Sequence, residues 1–454
     1  MGERDTRHGA GTYDARRAAP EASPRYASAV TFRNSLSELG IVLVAACGHP
    51  ASTLPPLAPA PRATVATDAC VLTTDSAPPP AALTIAVPDV GRFLERQVYE
   101  TLVRIDCTGT PVPELAQAWT SDDGGHRWTF TLRPAARFSD GTPLLASDVF
   151  AVLTRDSSLL GQSAVALEGH DQISVRFAQA AASVPAVFAD PALAVTRRAA
   201  ASSWLVGSGV ATRDSTIDAA TLTPAQEGTG RPTVTVRPDS GVDARDLLDR
   251  GVDILVTSEP EVLSYAARRG DLITVPLPWS RVYVLVSPVA STIGDTVRAS
   301  LARDVVRTDA RPARGNYWWL AGPACPVADT TAPASTGTGT AEVIYYPRGD
   351  GPARDLAGRL VALGLEGSTG KAVGVVPADF EVLFAAGTGS FLMSLPREAL
   401  APCQAVEDLV SRAPWLRSDP GRRITALVET RDRAIVRRGG SAFTVDWDGT
   451  LRLR

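Results

Sequence analysis

The chain has 454 residues, of which 44% are hydrophobic and 21% charged, and this length is enough for two or three domains. Its formal net charge of -4 gives no reason to expect nucleic acid or an anionic membrane surface as a partner. Its basic residues are almost all arginine, and Lys371 is the single lysine, which excludes lysine-dependent chemistry elsewhere in the chain.

The N-terminal residues resemble an export signal. Residues 1–35 are polar and Arg-rich, and they are predicted to be disordered or to be an upstream extension from a misassigned start codon. The short apolar run Leu39–Ala46 leads directly to Cys47 in the sequence VAAC, which fits a lipobox. The run is too short to span a bilayer and suits a secretory signal. Residues 1–47 are therefore predicted to end in lipid attachment at Cys47; the alternative is a buried strand with a structural cysteine.

A tether is predicted next. Residues 48–82 are rich in Pro, Ala, Ser and Thr, contain Cys70, and cannot bury a core. The folded body is predicted to begin with a strand at Leu83–Pro88, whose apolar residues alternate with other residues. A loop of only six residues, Asp89–Leu94, is expected to follow.

The stretch 95–155 contains the densest succession of predicted elements. Apolar residues at helical spacing, glycine-rich turns and a run with strict alternation follow one another within it. The elements are a helix at 95–103, a short helical or extended segment at 115–119, turns at 122–125 and 138–143, a strand at 128–132, and a helix N-capped by Ser147.

Five short motifs in this stretch carry a resemblance. They are Tyr99-Glu100-Thr-Leu102, Pro113-Glu-Leu115-Ala116-Gln-Ala-Trp119, Thr129-Phe130-Thr-Leu132-Arg133, Phe138-Ser-Asp140-Gly141-Thr-Pro143 and Asp148-Val149. Together and in this order they resemble the signature of the family 5 extracellular solute-binding proteins, which serve ABC importers of oligopeptides, dipeptides and nickel. The resemblance implies a two-lobed α/β fold of the periplasmic-binding-protein type II, with mixed sheets and a central cleft. In that family a long ligand-contacting loop stands where this chain has only Asp89–Leu94.

The rest of the chain continues as alternating strands and helices, which predicts an α/β protein. The predicted strands are 173–177, 193–195, 233–237, 251–256, 281–287, 343–346, 379–384, 424–428, 434–437 and 443–447; the predicted helices are 184–188, 243–249, 297–305 and 354–363; Trp204–Gly209 matches a family strand only in part, and Thr330–Gly339 is a predicted loop. We expect residues 83–279 to form the first lobe, 280–405 the second, and 406–454 a return to the first.

Candidate ligand-binding residues cluster near the expected cleft. Aromatic residues with one arginine suit a ligand that has apolar and anionic parts, whereas core packing is the alternative for each aromatic. The candidates are Arg281, Tyr283, Tyr317, Trp318, Trp319 and Phe391. Peptide-binding relatives pair an acid with the free amino group of the peptide, but the corresponding stretch, Leu383–Phe391, has no acid. Because a buried ammonium without a counter-charge is costly, that way of binding peptides is not expected.

Metal, cofactor and catalytic motifs are not recognised. The four histidines lack metal-ligand spacing, and Gly367–Ala372 only approaches a phosphate loop. If Cys47 carries lipid, two disulfides can form among the remaining cysteines, with three pairings open. Those cysteines are Cys70, Cys107, Cys325 and Cys403.

The sequence and the resemblance together predict a monomeric, lipid-anchored solute-binding protein in the periplasm or at the cell surface. It would capture a small-molecule or peptide ligand, without catalysis or a cofactor, and deliver it to an ABC permease. A degenerate binding protein that acts as a sensory or scaffold partner is one alternative, which the short loop and the missing acid favour. A hydrolase is the other, although no nucleophile-base pair is recognisable.

Overall fold

The protein was analysed as a computed structural model. It describes residues 70–72, 80–181, 183–198, 205–215, 220–226, 228–239, 242–288, 293–305, 309–320, 325, 343–363, 370–418, 420–439 and 443–454, all of which belong to the unit Pro59–Arg454. The predictions for residues 1–47, including Cys47, and for Trp204 and Thr330–Gly339 lie outside the described residues. No helix in the described part of the chain is both long and apolar enough to span a membrane.

The strands are short and are distributed over the whole described chain. The first twelve are β1 (Ala82–Val87), β2 (Val103–Ile105), β3 (Pro111–Pro113), β4 (Ala116–Asp122), β5 (Arg127–Leu132), β6 (Ser163–Leu167), β7 (Gln172–Phe177), β8 (Arg197–Arg198), β9 (Leu205–Val206), β10 (Ala211–Ser215), β11 (Ala220–Pro224) and β12 (Thr233–Pro238). The others are β13 (Ile254–Thr257), β14 (Leu272–Pro276), β15 (Arg281–Val286), β16 (Asp309–Pro312), β17 (Val343–Pro347), β18 (Lys371–Val375), β19 (Ser390–Pro396), β20 (Ile424–Arg431), β21 (Arg433–Arg437), β22 (Phe443–Val445) and β23 (Leu451–Leu453).

The helices connect these strands. They are α1 (Val90–Val98), α2 (Ala146–Arg155), α3 (Ser157–Leu160), α4 (Ala244–Asp249), α5 (Pro260–Ala267), α6 (Asp295–Asp304), α7 (Gly351–Ala362), α8 (Pro377–Ala386), α9 (Pro402–Arg412) and α10 (Pro420–Arg423). Short 3₁₀ turns lie at Asp123–Gly125, Ala186–Ala189, Pro191–Leu193 and Pro414–Ser418.

A seven-stranded mixed sheet forms the first lobe, in the order β10-β11-β12-β1-β13-β21-β14. Its centre is parallel, since β1 pairs with β12 on one side and with β13 on the other. Residues on both faces of β1 are buried: Ile85 packs in the core that includes α1, and Ala86 in the core that includes α4 and α5. A parallel strand covered on both faces explains why β1 is apolar almost throughout.

A six-stranded sheet forms the second lobe, in the order β16-β20-β15-β19-β17-β18. Its central strand β15 alternates between two cores, as successive residues of a strand must. Val282 and Val284 pack with residues of α8 and α9, whereas Tyr283 and Leu285 pack with residues of α6 and α7. The α/β fold with several mixed sheets that the sequence predicts is therefore confirmed.

A separate four-stranded antiparallel sheet, β4-β5-β7-β6, shares one core with a residue from each of the five motifs, and we call the sheet and this core the signature subdomain. The motif residues in the core are Leu102, Leu115, Phe130, Phe138 and Val149. The alternation predicted for 128–132 is confirmed: Trp128, Phe130 and Leu132 are buried together with residues of α2. The motifs also contact one another, because Arg133 donates two hydrogen bonds to the Glu100 carboxylate, at 2.8 and 2.7 Å. The signature residues thus hold this subdomain together.

The chain passes between the two large sheets twice. The first crossover lies between Pro276 and Arg281, and the second is Asp432, between β20 and β21. The second lobe was predicted to end at residue 405, but β20 pairs with β15 and β16, so the chain leaves the six-stranded sheet only after Arg431.

Several predicted elements differ in type or position. The helix predicted at 95–103 begins and ends earlier, as α1, and 115–119 is extended and enters β4. The strand predicted at 379–384 is the helix α8, in which Phe380 and Phe384 lie one turn apart and are both buried. The apolar run is so short that it fits the periodicity of a helix and that of a strand equally well. Pro377 in the first turn favours the helix.

Two further predictions need correction near helix and chain ends. Ser147 does not cap α2, which starts at Ala146; instead, the Asp148 carboxylate accepts the Leu145 backbone N–H at 2.8 Å. Residues 184–188 and 193–195 form 3₁₀ turns and extended chain rather than a helix and a strand.

Residues 70–72, predicted to belong to the tether, pack against the folded body. Leu72 is buried, and its backbone N–H donates to the Phe443 carbonyl at 3.1 Å. The structure joins Cys70 to Cys107 and Cys325 to Cys403, which is one of the three pairings that the sequence left open.

Candidate functional site

One wall of the candidate site is the junction between β1 and α1. Only Pro88 and Asp89 separate the strand from the helix, so the loop predicted over Asp89–Leu94 is wrong, since most of it is helix. Asp89 caps α1, because its Oδ1 accepts the backbone N–H of Arg92 at 2.9 Å. This junction lies at the carboxyl edge of parallel strands, where α/β sheets bind ligands.

A second wall is the tight turn between β22 and β23 near the C-terminus. The Asp446 backbone N–H donates to the Thr450 carbonyl at 2.9 Å, and Gly449 has a φ of 79°, which favours glycine. The Asp448 carboxylate accepts the Thr450 N–H at 3.0 Å. These bonds hold Asp448 against α1.

Asp448 is a buried, fully paired carboxylate. Its side chain is 2% exposed, and its Oδ2 lies 2.5 Å from Arg92 and 3.2 Å from Arg96. Burial by itself raises the pKa of this carboxyl, but the guanidiniums of Arg96 and Arg92, with the Thr450 N–H, outweigh it and lower the pKa to about 2. Asp448 is therefore ionised at neutral pH.

The third wall comes from the two crossovers. Arg281 of the first crossover donates to both oxygens of Asp432 in the second, at 2.8 and 2.5 Å. Burial by itself lowers the pKa of Arg281. The neighbouring Asp432 carboxylate raises this pKa and helps to outweigh burial, so the net shift is upward. This bidentate pair ties together the two segments that connect the lobes.

Within the first crossover, Trp279 lies between two guanidiniums. The Arg311 and Arg431 groups stand 4.4 and 4.5 Å from the centre of its ring. Such cation–π contacts stabilise each pair by about 0.5–1 kcal/mol at exposed sites. The crossover region is thus held by both ionic and aromatic contacts.

These walls enclose a cavity of about 270 Å³ between the two large sheets, which we call the cleft cavity. Its lining is contributed by both lobes and both crossovers: Val87, Pro88, Asp89, Arg92, Phe93, Val256, Leu277, Ser280, Arg281, Ser394, Leu395, Pro396, Asp432, Trp447, Asp448, Gly449, Thr450 and Leu451. Apolar side chains predominate, and the charged ones are two arginines and three aspartates. The arginines are paired with Asp448 and Asp432, and Asp89 leaves the lining with one more carboxylate than guanidinium, which disfavours an anionic ligand.

Of the six candidate ligand-binding residues, Arg281 lines the cleft cavity. Tyr283 is 5% exposed, and its hydroxyl donates to Asp350, the N-cap of α7, at 2.8 Å. Burial raises the pKa of Tyr283, and the Asp350 carboxylate raises it further. Phe391 is fully buried and packs edge-on against Phe384. The structure thus gives Tyr283 and Phe391 packing roles in the second lobe.

The other three candidates lie together in the second lobe and do not line the cleft cavity, although Trp318 is hydrogen-bonded to Pro396, which does. The Tyr317 and Trp319 rings are stacked with centroids 4.6 Å apart, and the Trp318 indole N–H donates to the Pro396 carbonyl at 2.9 Å. Tyr317 donates to Glu429 at 2.9 Å. Their ligand-binding role stays a prediction, and the structure shows the core-packing alternative for all three.

Sequence reasoning missed most of the residues that line the cleft cavity. The strongest overlooked signal is Asp446-Trp-Asp448-Gly-Thr450, a turn sequence that repeats the pattern of Asp106-Cys-Thr-Gly-Thr110. In both turns the aspartate N–H donates to the threonine carbonyl, at 2.9 and 3.0 Å. The pattern predicts a turn, but nothing in the sequence alone brings the C-terminal turn to α1.

A family model and several curated proteins match short segments of the chain. A family model for bacterial extracellular solute-binding proteins, family 5 Middle, matches residues 110–189. Within the sequence, the chain is 45% identical over 51 residues to the nickel-binding periplasmic protein of Escherichia coli (strain K12), which is 11% of this chain and 10% of that relative. It is 42% identical over 55 residues to the periplasmic oligopeptide-binding protein OppA of the same strain, which is 12% of this chain and 10% of the relative.

The fold is similar to that of solved structures over most of the chain. NikA from Brucella suis, solved in complex with Fe(III)-EDTA, has a TM-score of 0.58 at 14% identity, with 82% of this chain and 100% of that chain covered. NikZ from Campylobacter jejuni, in complex with Ni(L-His), has a TM-score of 0.58 at 13% identity, with 82% and 98% covered. In its middle segment and its fold, the chain is similar to the family 5 extracellular solute-binding proteins.

The family resemblance inferred from the five motifs is therefore confirmed, and so is the two-lobed α/β fold. The sequence matches span only about a tenth of the length of the curated relatives. The likeness to the structural neighbours establishes the fold. Because their sequence identity is low, it leaves the ligand open.

Proposed function

We propose that this family 5 protein is an extracytoplasmic solute-binding protein of an ABC importer. It would capture a small solute in the cleft cavity and deliver it to a permease. The observation that carries this proposal is the cavity between the two sheets, bordered by both crossovers. Clefts at domain interfaces are the usual binding sites for small ligands, and crossovers are the usual hinges.

The size and charge of the cleft cavity narrow the solute class. A cavity of about 270 Å³ lies at the lower end of the range of small-molecule sites, so it suits a compact solute rather than a long peptide. Its arginines are paired, whereas Asp89 adds a third carboxylate. We therefore favour a neutral or cationic compact solute over the partly anionic ligand that the aromatic residues and Arg281 suggested in the sequence.

The proposed location follows from the relatives. The nickel-binding, oligopeptide-binding and murein peptide-binding proteins of E. coli are periplasmic by name. We propose the same side of the membrane for this chain, with attachment through lipid at Cys47 and the segment 48–69 as the tether. Labelling with a radioactive fatty acid tests the anchor, and loss of the label in Cys47→Ala is the expected result.

Catalysis is not proposed. The residues that line the cleft cavity include the hydroxyls of Ser280, Ser394 and Thr450 but no histidine or cysteine, so no ordinary nucleophile-base pair borders it. A second candidate function is a sensory or scaffold partner without transport. The internal pairing of Arg92 and Arg281 favours it, because those charges are satisfied without a ligand.

A thermal-shift screen with amino acids, dipeptides, polyamines, opines and metal chelates tests capture. A transported solute should raise the Tm in a concentration-dependent way. Ser394→Trp places an indole in the cleft cavity and should abolish the shift, whereas Ser411→Trp on the exposed side of α9 should leave it unchanged. If no compound shifts the Tm, or if Ser394→Trp retains the shift, the capture proposal fails and the scaffold role is favoured.

A further inference from the structure

A second cavity, of about 330 Å³, lies behind α1. It is bordered by α1, the end of α2 and the segment that follows the 3₁₀ turn at Pro191–Leu193. Its lining residues are Arg92, Glu95, Arg96, Tyr99, Thr101, Arg155, Pro191, Ala192, Ala194, Thr196, Leu205 and Arg452. None of them belongs to the six-stranded sheet, so this cavity differs from the cleft cavity, although Arg92 borders both.

The wall of this cavity is cationic. Four arginines line it and Glu95 is the single carboxylate among its lining residues. The carboxylates that neutralise these arginines stand behind the wall: Asp448, 2% exposed, pairs with Arg92 and Arg96, and Glu114, 5% exposed, pairs with Arg452. Neither acid lines the cavity, so guanidinium groups form its charged face.

Asp448, behind the wall, and the Ala189 carbonyl hold Arg96 in place. Its side chain is 7% exposed, its Nη2 lies 3.2 Å from Asp448, and its Nη1 lies 3.4 Å from the Ala189 carbonyl. Its Nε is buried and has no hydrogen-bond partner within the described residues. A buried donor without an acceptor is unfavourable. Arg96 also lines the cavity, so the charge of its guanidinium would attract an anion bound there.

The two outer arginines are placed to close over such an acceptor. The side chains of Arg92 and Arg155 are 48% and 58% exposed, and the partner of Arg155 is the adjacent Asp156, at 2.7 Å. Guanidinium groups bind carboxylate and phosphate oxygens in a planar, bidentate geometry. One buried and two partly exposed guanidiniums around one cavity match the several oxygens of such an anion.

We propose that this cavity is a binding site for a small oxyanion, a carboxylate or phosphate compound, held by Arg92, Arg96 and Arg155. No residue that lines this site belongs to the six-stranded sheet, so the site does not require the lobes to close. It therefore does not depend on the solute-capture proposal. The two sources of oxyanion chemistry, organic acids and phosphates, are separated by the experiment.

Isothermal titration calorimetry of the full chain at pH 7 and low ionic strength, in chloride buffer, tests the proposal. Inorganic phosphate, succinate and citrate are titrated separately, and at least one should bind saturably with a stoichiometry of one. Arg155→Gln removes one charged contact at the surface and should weaken that binding about tenfold. Arg250→Gln is the matched control: Arg250 is 69% exposed, pairs with nearby Asp246, and should leave the affinity unchanged.

Two further variants separate this site from the cleft cavity and from misfolding. Ala192→Glu places a carboxylate in front of the arginines and should abolish anion binding, while Ser394→Trp should block only the cleft cavity and retain it. Far-UV circular dichroism and Tm show whether each variant folds. The proposal is overturned if none of the three anions binds saturably, or if Arg155→Gln and Ala192→Glu bind as tightly as the unmodified chain.

Discussion

At the scale of single residues, the most informative feature is a set of buried carboxylates held by arginine. Asp448 has two guanidinium partners and Glu429 has two as well, with Tyr317 as a third donor. Removing one member of such a buried group leaves the others unpaired, which costs far more than the loss of an exposed pair. The predictions at this scale use that contrast.

Asp448 should make the stability depend on pH in acid. Its pKa of about 2 lies below the ordinary value of 3.8, so the stabilisation is complete above about pH 4 and is lost as the pH falls towards 2. The shift corresponds to about 2 kcal/mol. In urea denaturation, the stability difference between the unmodified chain and Asp448→Asn should shrink by about this amount between pH 6 and pH 2. An unchanged difference would contradict the assignment.

Glu429 should be essential for the stability of the second lobe. Its side chain is fully buried and accepts hydrogen bonds from Arg311 at 2.6 Å and Arg397 at 3.2 Å. We expect Glu429→Ala to lower the free energy of unfolding by about 3–5 kcal/mol, because two arginines lose their counter-charge. Glu381→Ala breaks the exposed pair with Arg412 and should cost less than about 1 kcal/mol. Equal losses in urea denaturation would show that burial does not matter here.

At the scale of elements, the contact between α1 and the segment that includes β9 depends on glycine. The Gly209 backbone N–H donates to the Val98 carbonyl at 2.9 Å. A Cβ at Gly207 would lie 2.1 Å from the Val98 oxygen, and one at Gly209 would lie 2.2 Å from the Gln97 oxygen. In the sequence, this segment matched the family only through a partly kept motif. The structure shows what its glycines do: they let the chain approach the end of α1.

Gly209→Ala should therefore destabilise the protein. The added methyl group meets backbone atoms that cannot move away easily, and we expect a loss of about 1–3 kcal/mol in urea denaturation. Gly270→Ala is the control, because no atom lies within 4 Å of its Cβ position. It should change the stability by no more than about 0.5 kcal/mol. A neutral Gly209→Ala would mean that α1 and this segment shift apart at little cost.

The elements also show where sequence patterns succeed. The strict alternation at 128–132 predicted β5, because only one face of that strand meets the core. The run at 379–384 misled, because a helix with Phe380 and Phe384 on one face and a short buried strand share the same composition. Local propensity could not decide between helix and strand for this run. Packing of Phe384 against Phe391 of β19 and against Trp415 decided for the helix.

At the scale of the whole molecule, two covalent links and two crossovers hold distant segments together. The Cys70–Cys107 bond fastens the segment before β1 to the turn after β2, and Cys325–Cys403 closes a loop in the second lobe. The crossovers are joined by Arg281 and Asp432. Hinge closure around a solute would take place beside this pair.

Each disulfide should stabilise the folded chain by limiting the unfolded one. The bonded cysteines are 37 and 78 residues apart, for which loop-closure entropy gives about 4 kcal/mol each. We expect the double replacement of Cys70 and Cys107 by serine to lower the free energy of unfolding by about this amount, and the same for Cys325 and Cys403. Urea denaturation measures it, and the midpoint should fall in each double variant. Unchanged midpoints in both double variants would argue against this pairing.

The sequence by itself determined the family resemblance and the α/β class, because the signature motifs are local: their residues are neighbours in the chain and contact one another in one subdomain, as Glu100 and Arg133 do. Only the tertiary structure shows the cavity that we propose as the ligand site. The cleft cavity combines Asp89, Arg281, Asp432 and Asp448, which are separated by up to 359 positions in the numbering and are brought together by sheet order and by the C-terminal turn. Contacts between residues so far apart leave no periodic signal in the sequence, and so the arginine-lined cavity behind α1 could be found only in three dimensions.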